Sequence, residues 1–162
     1  MAARRAYLDT CIVSGLAKGD LSQENEAALL QILEARKLGH VELVTSELTR
    51  TEIAAVPEEY RAKHSIIYAL LTDVPLVATT YKIPPFKPAP MFRRPHPLYL
   101  ALRQLLPDET DADHVYQAAQ NGVAHLIAVD KRTMLTYAKE VLDLSHVTLS
   151  SPVDFAKSVL GK

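Results

Sequence analysis

Short apolar segments alternate with helix-forming segments along this chain, and that alternation restricts its fold more than any other feature. Four apolar runs predict β-strands: AYL (6–8), VELV (41–44), HLIAV (125–129) and HVTL (146–149). A helix between successive strands returns the chain to the same edge of a sheet, so the strands lie parallel. We therefore predict an α/β fold, a three-layer α/β/α arrangement with helices on both faces of a mostly parallel central sheet.

The helical segments are marked by their ends. Ser22 and Gly39 bound a helix over 22–38, and Ser46 begins a second helix that Pro57 ends. Ser151 caps a closing helix over 152–160. Further helices are predicted over 57–74, 98–106, 110–122 and 131–141.

Length and composition exclude several classes of protein. The 162 residues fit a single domain, 1–162, with 48% hydrophobic and 23% charged residues. The net charge of −1 gives no overall field that attracts nucleic acid or an anionic membrane, so any such contact depends on a local patch. Cys11 is the only cysteine, which excludes an internal disulfide and a multi-cysteine metal site.

Hydropathy gives no sign of a membrane protein. No apolar run reaches the roughly 20 residues that a membrane-spanning helix needs. Two arginines lie almost directly before Asp9, which leaves no room for the apolar core of a signal peptide. We expect a cytoplasmic protein that makes no membrane contact.

A proline-rich basic segment interrupts the alternation of strands and helices. Eight of the ten prolines and no acidic residue lie between Asp73 and Asp108. The stretch YKIPPFKPAPMFRRPHP holds too many prolines for a helix or a central strand. We predict a proline-rich basic insertion at about 79–97, preceded by a candidate short strand at 76–78.

Aromatic and basic residues are interleaved in this insertion, as on surfaces that bind single-stranded nucleic acid. Lys87, Arg93 and Arg94 are therefore candidate RNA-binding residues. Two other interpretations are equally open. The segment is either a docking arm for a partner protein or a plain solvated loop.

Two acids directly follow predicted strands. Asp9 ends the run AYL, and Asp130 ends the run HLIAV. Ligands in open α/β sheets bind beyond the carboxyl ends of the strands, which is where both carboxylates belong. Taken singly, each acid is more simply explained as a helix cap or a turn residue. The small residues after Asp9 predict a turn there.

A third acid, Glu52, falls within an apolar stripe. It shares a helix face with Leu48 and Val56, so its carboxylate needs either a partner or a function. The alternative is a capping box with Thr49, although Ser46 is the better-placed start of this helix.

The sequence TDAD (110–113) offers two acids. Thr110 and Asp113 match a capping box, which gives Asp113 a structural role and leaves it in solvent. Asp111 then faces inward, on the side of Val115 and Ala118. We therefore take Asp111 as the fourth candidate site residue.

Four inward carboxylates repel one another and raise one another's pKa values, a cost that a divalent cation removes. An all-oxygen set of ligands favours Mg²⁺ or Mn²⁺ over zinc. An ion held in this way orients and polarises a phosphodiester and supplies hydroxide for in-line attack. Asp9, Glu52, Asp111 and Asp130 are the predicted metal ligands and catalytic residues.

This pattern resembles the PIN-domain ribonucleases, a family that includes the toxins of many bacterial and archaeal toxin–antitoxin pairs. YLDTCIVSGL is similar to the family's opening strand and first acid, Asp9, and VTSELTRTEI to the segment with the second acid, Glu52. DADHVYQAAQNGVAHLIAVD matches the third and fourth acids, Asp111 and Asp130, and VTLSSPVDF is similar to the closing strand and helix. The resemblance covers nearly the whole chain except about 79–97.

The resemblance implies a PIN-like fold and a Mg²⁺- or Mn²⁺-dependent endoribonuclease that hydrolyses RNA phosphodiester bonds. It implies the toxin of a toxin–antitoxin pair, with an antitoxin protein and a second copy of the chain as partners. Thr10, directly after the first acid, becomes a candidate contact to RNA, although capping of the next helix explains it equally well.

The chain departs from the family pattern at two positions. Ala128 lies where the family often has Thr or Ser, and Thr133 lies where a further acid often follows the last aspartate. These departures motivate the alternative function, a catalytically weakened or inactive PIN-like module that binds RNA or a protein partner. A phosphatase with an aspartyl nucleophile is disfavoured because Cys11 lies where such enzymes usually have a second acid.

Two other residues near the predicted site have simpler interpretations. His114 follows Asp111 by three residues on the same helix, and a histidine there is more often a buried packing or hydrogen-bonding residue than a ligand. Cys11 has no base to activate it and is interpreted as a small packing residue rather than a nucleophile.

Overall fold

The protein was analysed as a computed structural model, which describes residues 2–71 and 96–161. Its centre is a four-stranded sheet of order β2-β1-β3-β4 in which every neighbouring pair is parallel. The strands are β1 (Arg4–Leu8), β2 (Val41–Val44), β3 (His125–Ile127) and β4 (Thr148–Ser150). This confirms the predicted α/β class and the parallel sheet.

Eight α-helices lie around the sheet in the described residues: α1 (Thr10–Lys18), α2 (Gln23–Lys37), α3 (Glu47–Ala55), α4 (Glu58–Leu71), α5 (Pro97–Leu105), α6 (Glu109–Gln120), α7 (Ala138–Ser145) and α8 (Pro152–Leu160). Helix α2 packs against α8, α1 against α3 and α4, and α5 against α6 and α7. This grouping is compatible with helix layers on both faces of the sheet.

The core follows from the burial of the two central strands. In β1, Tyr7 and Leu8 are fully buried, as are Leu126 and Ile127 of β3, with which they pair in register. A parallel strand that is covered on both faces needs apolar side chains on both faces, which explains the continuous apolar runs of these strands.

The caps of three helices match the sequence prediction. Ser22, Ser46 and Ser151 each accept a hydrogen bond from a backbone N–H in the first turn of α2, α3 and α8. Their hydroxyl oxygens satisfy donors that have no partner within the helix. These short-range signals are local, so the sequence alone suffices to place them.

The predicted turn after Asp9 is wrong, because helix α1 begins there. The Asp9 side chain caps α1 by accepting the N–H of Cys11 at 3.0 Å, and Gly19 ends the helix with a left-handed φ of 72°. Gly15 lies against Leu21 so closely that an added Cβ would come within 2.6 Å of a Leu21 methyl carbon. The small residues therefore allow close packing of a helix instead of marking a turn.

The helix predicted over 131–141 also differs from the structure. Residues 131–134 form turns, a 3₁₀ helix follows at Leu135–Tyr137, and α7 begins only at Ala138. The Asp130 side chain accepts the N–H groups of Arg132 and Thr133, which closes a turn instead of starting a helix. The candidate strand at 76–78 and nearly all of the predicted insertion at 79–97 lie outside the described residues.

The strand order places a ligand-binding crevice at one point of the sheet. The chain moves from β1 to β2 on one side and then crosses to β3 on the other side, so the direction of winding changes between β1 and β3. The carboxyl ends of two strands at such a switch point border a crevice. Asp9 and Asp130 follow these two strands, and the N–H of Asp9 continues the ladder by donating to the carbonyl of Ile127 at 3.0 Å.

Candidate metal centre

A cavity of about 330 Å³ lies beside the carboxyl end of β1. Four acidic side chains are among its lining residues, one from the end of β1, one from α3 and two from the start of α6: Asp9, Glu52, Asp108 and Asp111. Thr10, Cys11, Ser14 and Thr110 complete the lining. Three of the four predicted site residues thus meet at one cavity, although they come from three separate segments of the chain.

Asp9 has one satisfied and one unsatisfied carboxylate oxygen. The side chain is only 5% exposed, and its Oδ2 caps α1. Oδ1 is buried and has no hydrogen-bond partner among the described residues. It lies 3.9 Å from Nε2 of His114. A buried carboxylate oxygen without a hydrogen bond is costly, so this atom marks a place where a cation or a donor is missing.

Glu52 is held by His114. Its Oε1 lies 2.5 Å from His114 Nε2, which joins α3 to α6, and its side chain is 30% exposed. The face of α3 that carries Leu48, Glu52 and Val56 is half-buried, while Thr49 and Ile53 form the fully buried face. The predicted need of Glu52 for a partner is therefore met by a buried imidazole.

His114 is the centre of a buried polar network. Its Nδ1 lies 2.6 Å from the hydroxyl of Tyr7, which in turn lies 2.6 Å from the hydroxyl of Ser46. The hydroxyl of Thr10 lies 3.4 Å from Nε2. The network thus connects β1 and α6 to both the cap and the second turn of α3. Buried polar groups that satisfy one another in this way specify a single arrangement of their elements.

The pKa of His114 is raised well above its usual value. Burial by itself lowers the pKa, but the contacts with Tyr7, the hydrogen bond to Glu52 and the negative charges of Asp9 and Glu52 outweigh it. These contacts favour the protonated imidazole, in which the Nε2–H donates to Glu52.

Asp111 and Asp130 are joined by Thr133. The Thr133 hydroxyl donates to Oδ2 of Asp111, and the Thr133 N–H donates to Oδ1 of Asp130 at 3.0 Å. Burial, with smaller contributions from the charges of Asp9 and Asp108, raises the pKa of Asp111 to about 7, against the lowering effects of the Thr133 hydrogen bond and of His114. Asp130 is not among the described residues that line the cavity.

The predicted cap of α6 is wrong. The N-cap is Asp108, whose Oδ1 accepts the N–H groups of Thr110 and Asp111, so Thr110 lies within the first turn. Asp113 is half-buried instead of lying in solvent, and burial raises its pKa despite a hydrogen bond with Tyr99. Both Asp108 and Thr110 can cap a helix, and only the tertiary path of the chain into α6 decides between them.

The donor set at the cavity suits a hard divalent cation. The carboxylates of Asp9, Glu52 and Asp111 supply oxygen ligands, and the unpaired Oδ1 of Asp9 lacks a positive partner at hydrogen-bonding distance. Within the described part of the chain, however, no three His, Cys, Asp or Glu side chains already form a group that could hold a metal ion. In this arrangement His114 contacts Glu52, and the Thr133 hydroxyl donates to Asp111.

Several residues of this site carry no motif of their own in the sequence. Tyr7, Ser46 and Thr133 enter the site only through hydrogen bonds across the fold. The spacing of Asp111 and His114, three residues apart on one helix, was the available signal for His114. Lys87, Arg93 and Arg94 lie outside the described residues, whereas Thr10 is buried and lines the cavity.

The environment of Cys11 argues against a nucleophile. Burial, followed by the charge of Asp9, raises the pKa of the thiol well above its usual value. The thiol sulfur accepts the N–H of Val129 at 3.3 Å. Since the thiolate is the reactive form, the raised pKa disfavours a nucleophilic role for this cysteine, which packs against the core.

Comparisons with protein-family profiles, with curated proteins and with solved structures found no match. The described helices include none that is both long and apolar enough to cross a membrane. The candidate metal centre therefore depends on the geometry of the cavity.

Proposed function

We propose that this chain is a metal-dependent endoribonuclease of PIN-like, three-layer α/β/α architecture that hydrolyses RNA phosphodiester bonds at the acidic cavity. The observation that carries the proposal is the meeting of Asp9, Glu52 and Asp111 around one cavity beside the carboxyl end of β1, where Asp9 keeps a buried oxygen without a hydrogen bond. The motifs that resemble the PIN family supply the substrate class.

In this proposal Asp9 and Asp111 hold the cation, with Glu52 beside them and Asp130 acting from the end of β3. These residues would hold a Mg²⁺ or Mn²⁺ ion, which would supply polarisation of the phosphodiester and activation of the attacking water. Loss of the Asp111 proton accompanies binding, because its pKa of about 7 leaves the carboxyl partly protonated at neutral pH. Thr10, which lines the same cavity, contacts the RNA phosphate through its hydroxyl.

The proposal extends to the setting of the activity. The chain is then the toxin of a toxin–antitoxin pair in the cytoplasm, which an antitoxin protein restrains and which pairs with a second copy of itself. A short antitoxin-like reading frame beside its gene and a dimer mass in solution are the expected findings. The proline-rich basic insertion, with Lys87, Arg93 and Arg94, holds the RNA beside the cavity.

The test is cleavage of a mixed cellular RNA pool with Mg²⁺ or Mn²⁺, compared with Asp9→Asn. Asparagine still accepts the N–H of Cys11 and caps α1, so the variant keeps the fold but removes a charge from the cavity. We expect cleavage by the native protein, none in excess chelator, and a loss of at least about 100-fold in Asp9→Asn. Asp143→Asn removes an exposed acid on α7 and is the matched control.

Full activity of Asp9→Asn, or full activity in chelator, contradicts the mechanism. A second candidate function is favoured by the contacts that already hold Glu52 and Asp111. In that case the chain is a PIN-like module without catalysis that binds RNA or a protein partner. It is indicated if the native protein binds RNA but binds no Mn²⁺ and cleaves nothing.

A further inference from the structure

We infer that His114 is a positioning residue of the metal centre: it holds Glu52 beside Asp9 through Nε2, while Tyr7 and Ser46 hold its ring through Nδ1. This inference deepens the proposed function and rests on the metal site described there. It concerns the metal affinity of the cavity, which can be measured without RNA.

The first step is the contact between His114 and the two carboxylates. Nε2 lies 2.5 Å from Glu52 Oε1 and 3.9 Å from Asp9 Oδ1. One nitrogen atom therefore brings together an acid from α3 and an acid from the end of β1. No other hydrogen bond among the described residues ties the Glu52 carboxylate to the cavity.

The second step is the support of the imidazole ring. The His114 side chain is 1% exposed, so it does not reach the cavity as a ligand or touch RNA. Nδ1 lies 2.6 Å from the Tyr7 hydroxyl, and this hydroxyl lies 2.6 Å from Ser46 Oγ. A ring that is held at both nitrogens has a defined orientation, which is how outer groups orient ligands at metal sites.

The third step is that the path of hydrogen bonds begins and ends on α3. Ser46 caps α3, and Glu52 lies on the same helix six residues later, so the path from Ser46 through Tyr7 and His114 returns to its own helix. His114 also follows Asp111 by one turn on α6. The histidine therefore fixes α3 and α6 relative to each other, and with them the carboxylates of Glu52 and Asp111.

A matched pair of variants separates positioning from simple filling of the core. In His114→Gln the amide nitrogen reaches the place of Nε2 and can still donate to Glu52. In His114→Asn the amide nitrogen reaches only the place of Nδ1, toward Tyr7. Both variants replace the buried ring by an amide, but Gln is one methylene longer than Asn, so the free energy of unfolding of each variant is measured to separate packing from the contact with Glu52.

The experiment measures the affinity for Mn²⁺ alone by calorimetry and by the electron paramagnetic resonance signal of free Mn²⁺, at a temperature where circular dichroism shows both variants folded. We expect His114→Asn to bind Mn²⁺ at least about tenfold more weakly than His114→Gln. Equal affinities of the two variants overturn the inference. If either variant does not fold, NMR of the ring nitrogens of His114 in the native protein replaces the variant pair. We expect Mg²⁺ to shift the Nε2 resonance, and an unchanged resonance overturns the inference.

RNA cleavage by the native protein is measured in parallel. If the native protein binds Mn²⁺ but cleaves no RNA, the proposed function is contradicted. The inference about His114 is then decided by the Mn²⁺ affinities of the two variants. If the native protein cleaves RNA and the two variants bind Mn²⁺ equally well, only the inference about His114 is contradicted. Native protein that binds no Mn²⁺ overturns both.

Discussion

The two sides of the acidic cavity hold their carboxylates in different ways. On the histidine side (Tyr7, Ser46, Glu52 and His114), a buried imidazole with a raised pKa contacts the Glu52 carboxylate, and every link is a side-chain contact between distant segments. On the threonine side (Asp111, Asp130 and Thr133), neutral donors from one hydroxyl and two backbone N–H groups hold two acids. The pKa of Asp111 is raised to about 7, whereas the partner of Glu52 is an imidazole whose pKa is raised by its hydrogen bond to that carboxylate.

This difference shows that the cost of burying a carboxylate is offset in different ways for acids near the same cavity. A charged partner stabilises an ionised carboxylate, while a neutral hydroxyl offsets only part of the cost of burial. We therefore expect changes on the histidine side to cost more stability than changes on the threonine side.

The largest effect is expected for His114→Ala. The change leaves a cavity in the core and removes the partner of both Tyr7 and Glu52, so we expect a loss of about 3 kcal/mol in the free energy of unfolding. Urea unfolding followed by circular dichroism measures it. A loss no larger than that of an exposed substitution such as His40→Ala contradicts the view that His114 joins the elements.

A smaller effect is expected for Tyr7→Phe. The ring still fills the core, but His114 Nδ1 and Ser46 Oγ both lose the hydroxyl between them, which costs about 1–2 kcal/mol. The double variant with Ser46→Ala is the check. Because both changes remove parts of one network, the loss in the free energy of unfolding of the double variant should be less than the sum of the two single losses. Strictly additive losses would contradict the existence of a connected network on the histidine side.

Asp111→Asn is expected to stabilise the protein, in a way that depends on pH. The folded-state pKa of about 7 lies above the ordinary value of 3.8, so the folded protein binds more protons than the unfolded chain between these values. The native protein therefore loses stability as pH rises from about 4 to 7, and the variant does not.

The gain of Asp111→Asn over the native protein should grow across that window and reach about 1 kcal/mol above pH 7, since partial exposure screens the charge. Urea unfolding at pH 4, 5.5 and 7.5 measures it, and Asp143→Asn is the control with an exposed acid. A gain that does not change with pH contradicts the assigned pKa.

The smallest effect is expected for Thr133→Val. The change keeps the shape and the backbone N–H that donates to Asp130, and it removes only the hydroxyl that donates to Asp111. We expect a loss of about 0.5–1 kcal/mol in stability together with a further rise in the pKa of Asp111, because that hydrogen bond favours the ionised carboxylate. Titration of the Asp111 carboxyl carbon by NMR measures the second effect, and a lowered pKa would contradict it.

Much of the fold could be predicted from local signals in the sequence. The strand Val41–Val44 has the predicted bounds, and α2, α3 and α8 begin at the predicted serine caps. Two of the errors near the site have a common cause. Helix α1 was missed and the helix over 131–141 was placed too early because Asp9 and Asp130 each bind backbone N–H groups next to them, once starting a helix and once closing a turn.

The candidate site was predictable only as a set of residues. Strand ends and helix faces singled out Asp9, Glu52, Asp111 and Asp130, and whether they act together on a metal stays a prediction. His114 was recognised as a neighbour but not as the partner of Glu52, since 62 residues separate them along the chain.

The sequence by itself determined the α/β class, the parallel sheet and the caps of α2, α3 and α8, because periodicity and capping depend on residues within a few positions of one another. Only the tertiary structure decided which partner each acid has. The order β2-β1-β3-β4 brings the ends of β1 and β3 together, and a side-chain contact between α3 and α6 holds Glu52 against His114. Those contacts depend on burial and on distances between remote segments, which no local pattern encodes.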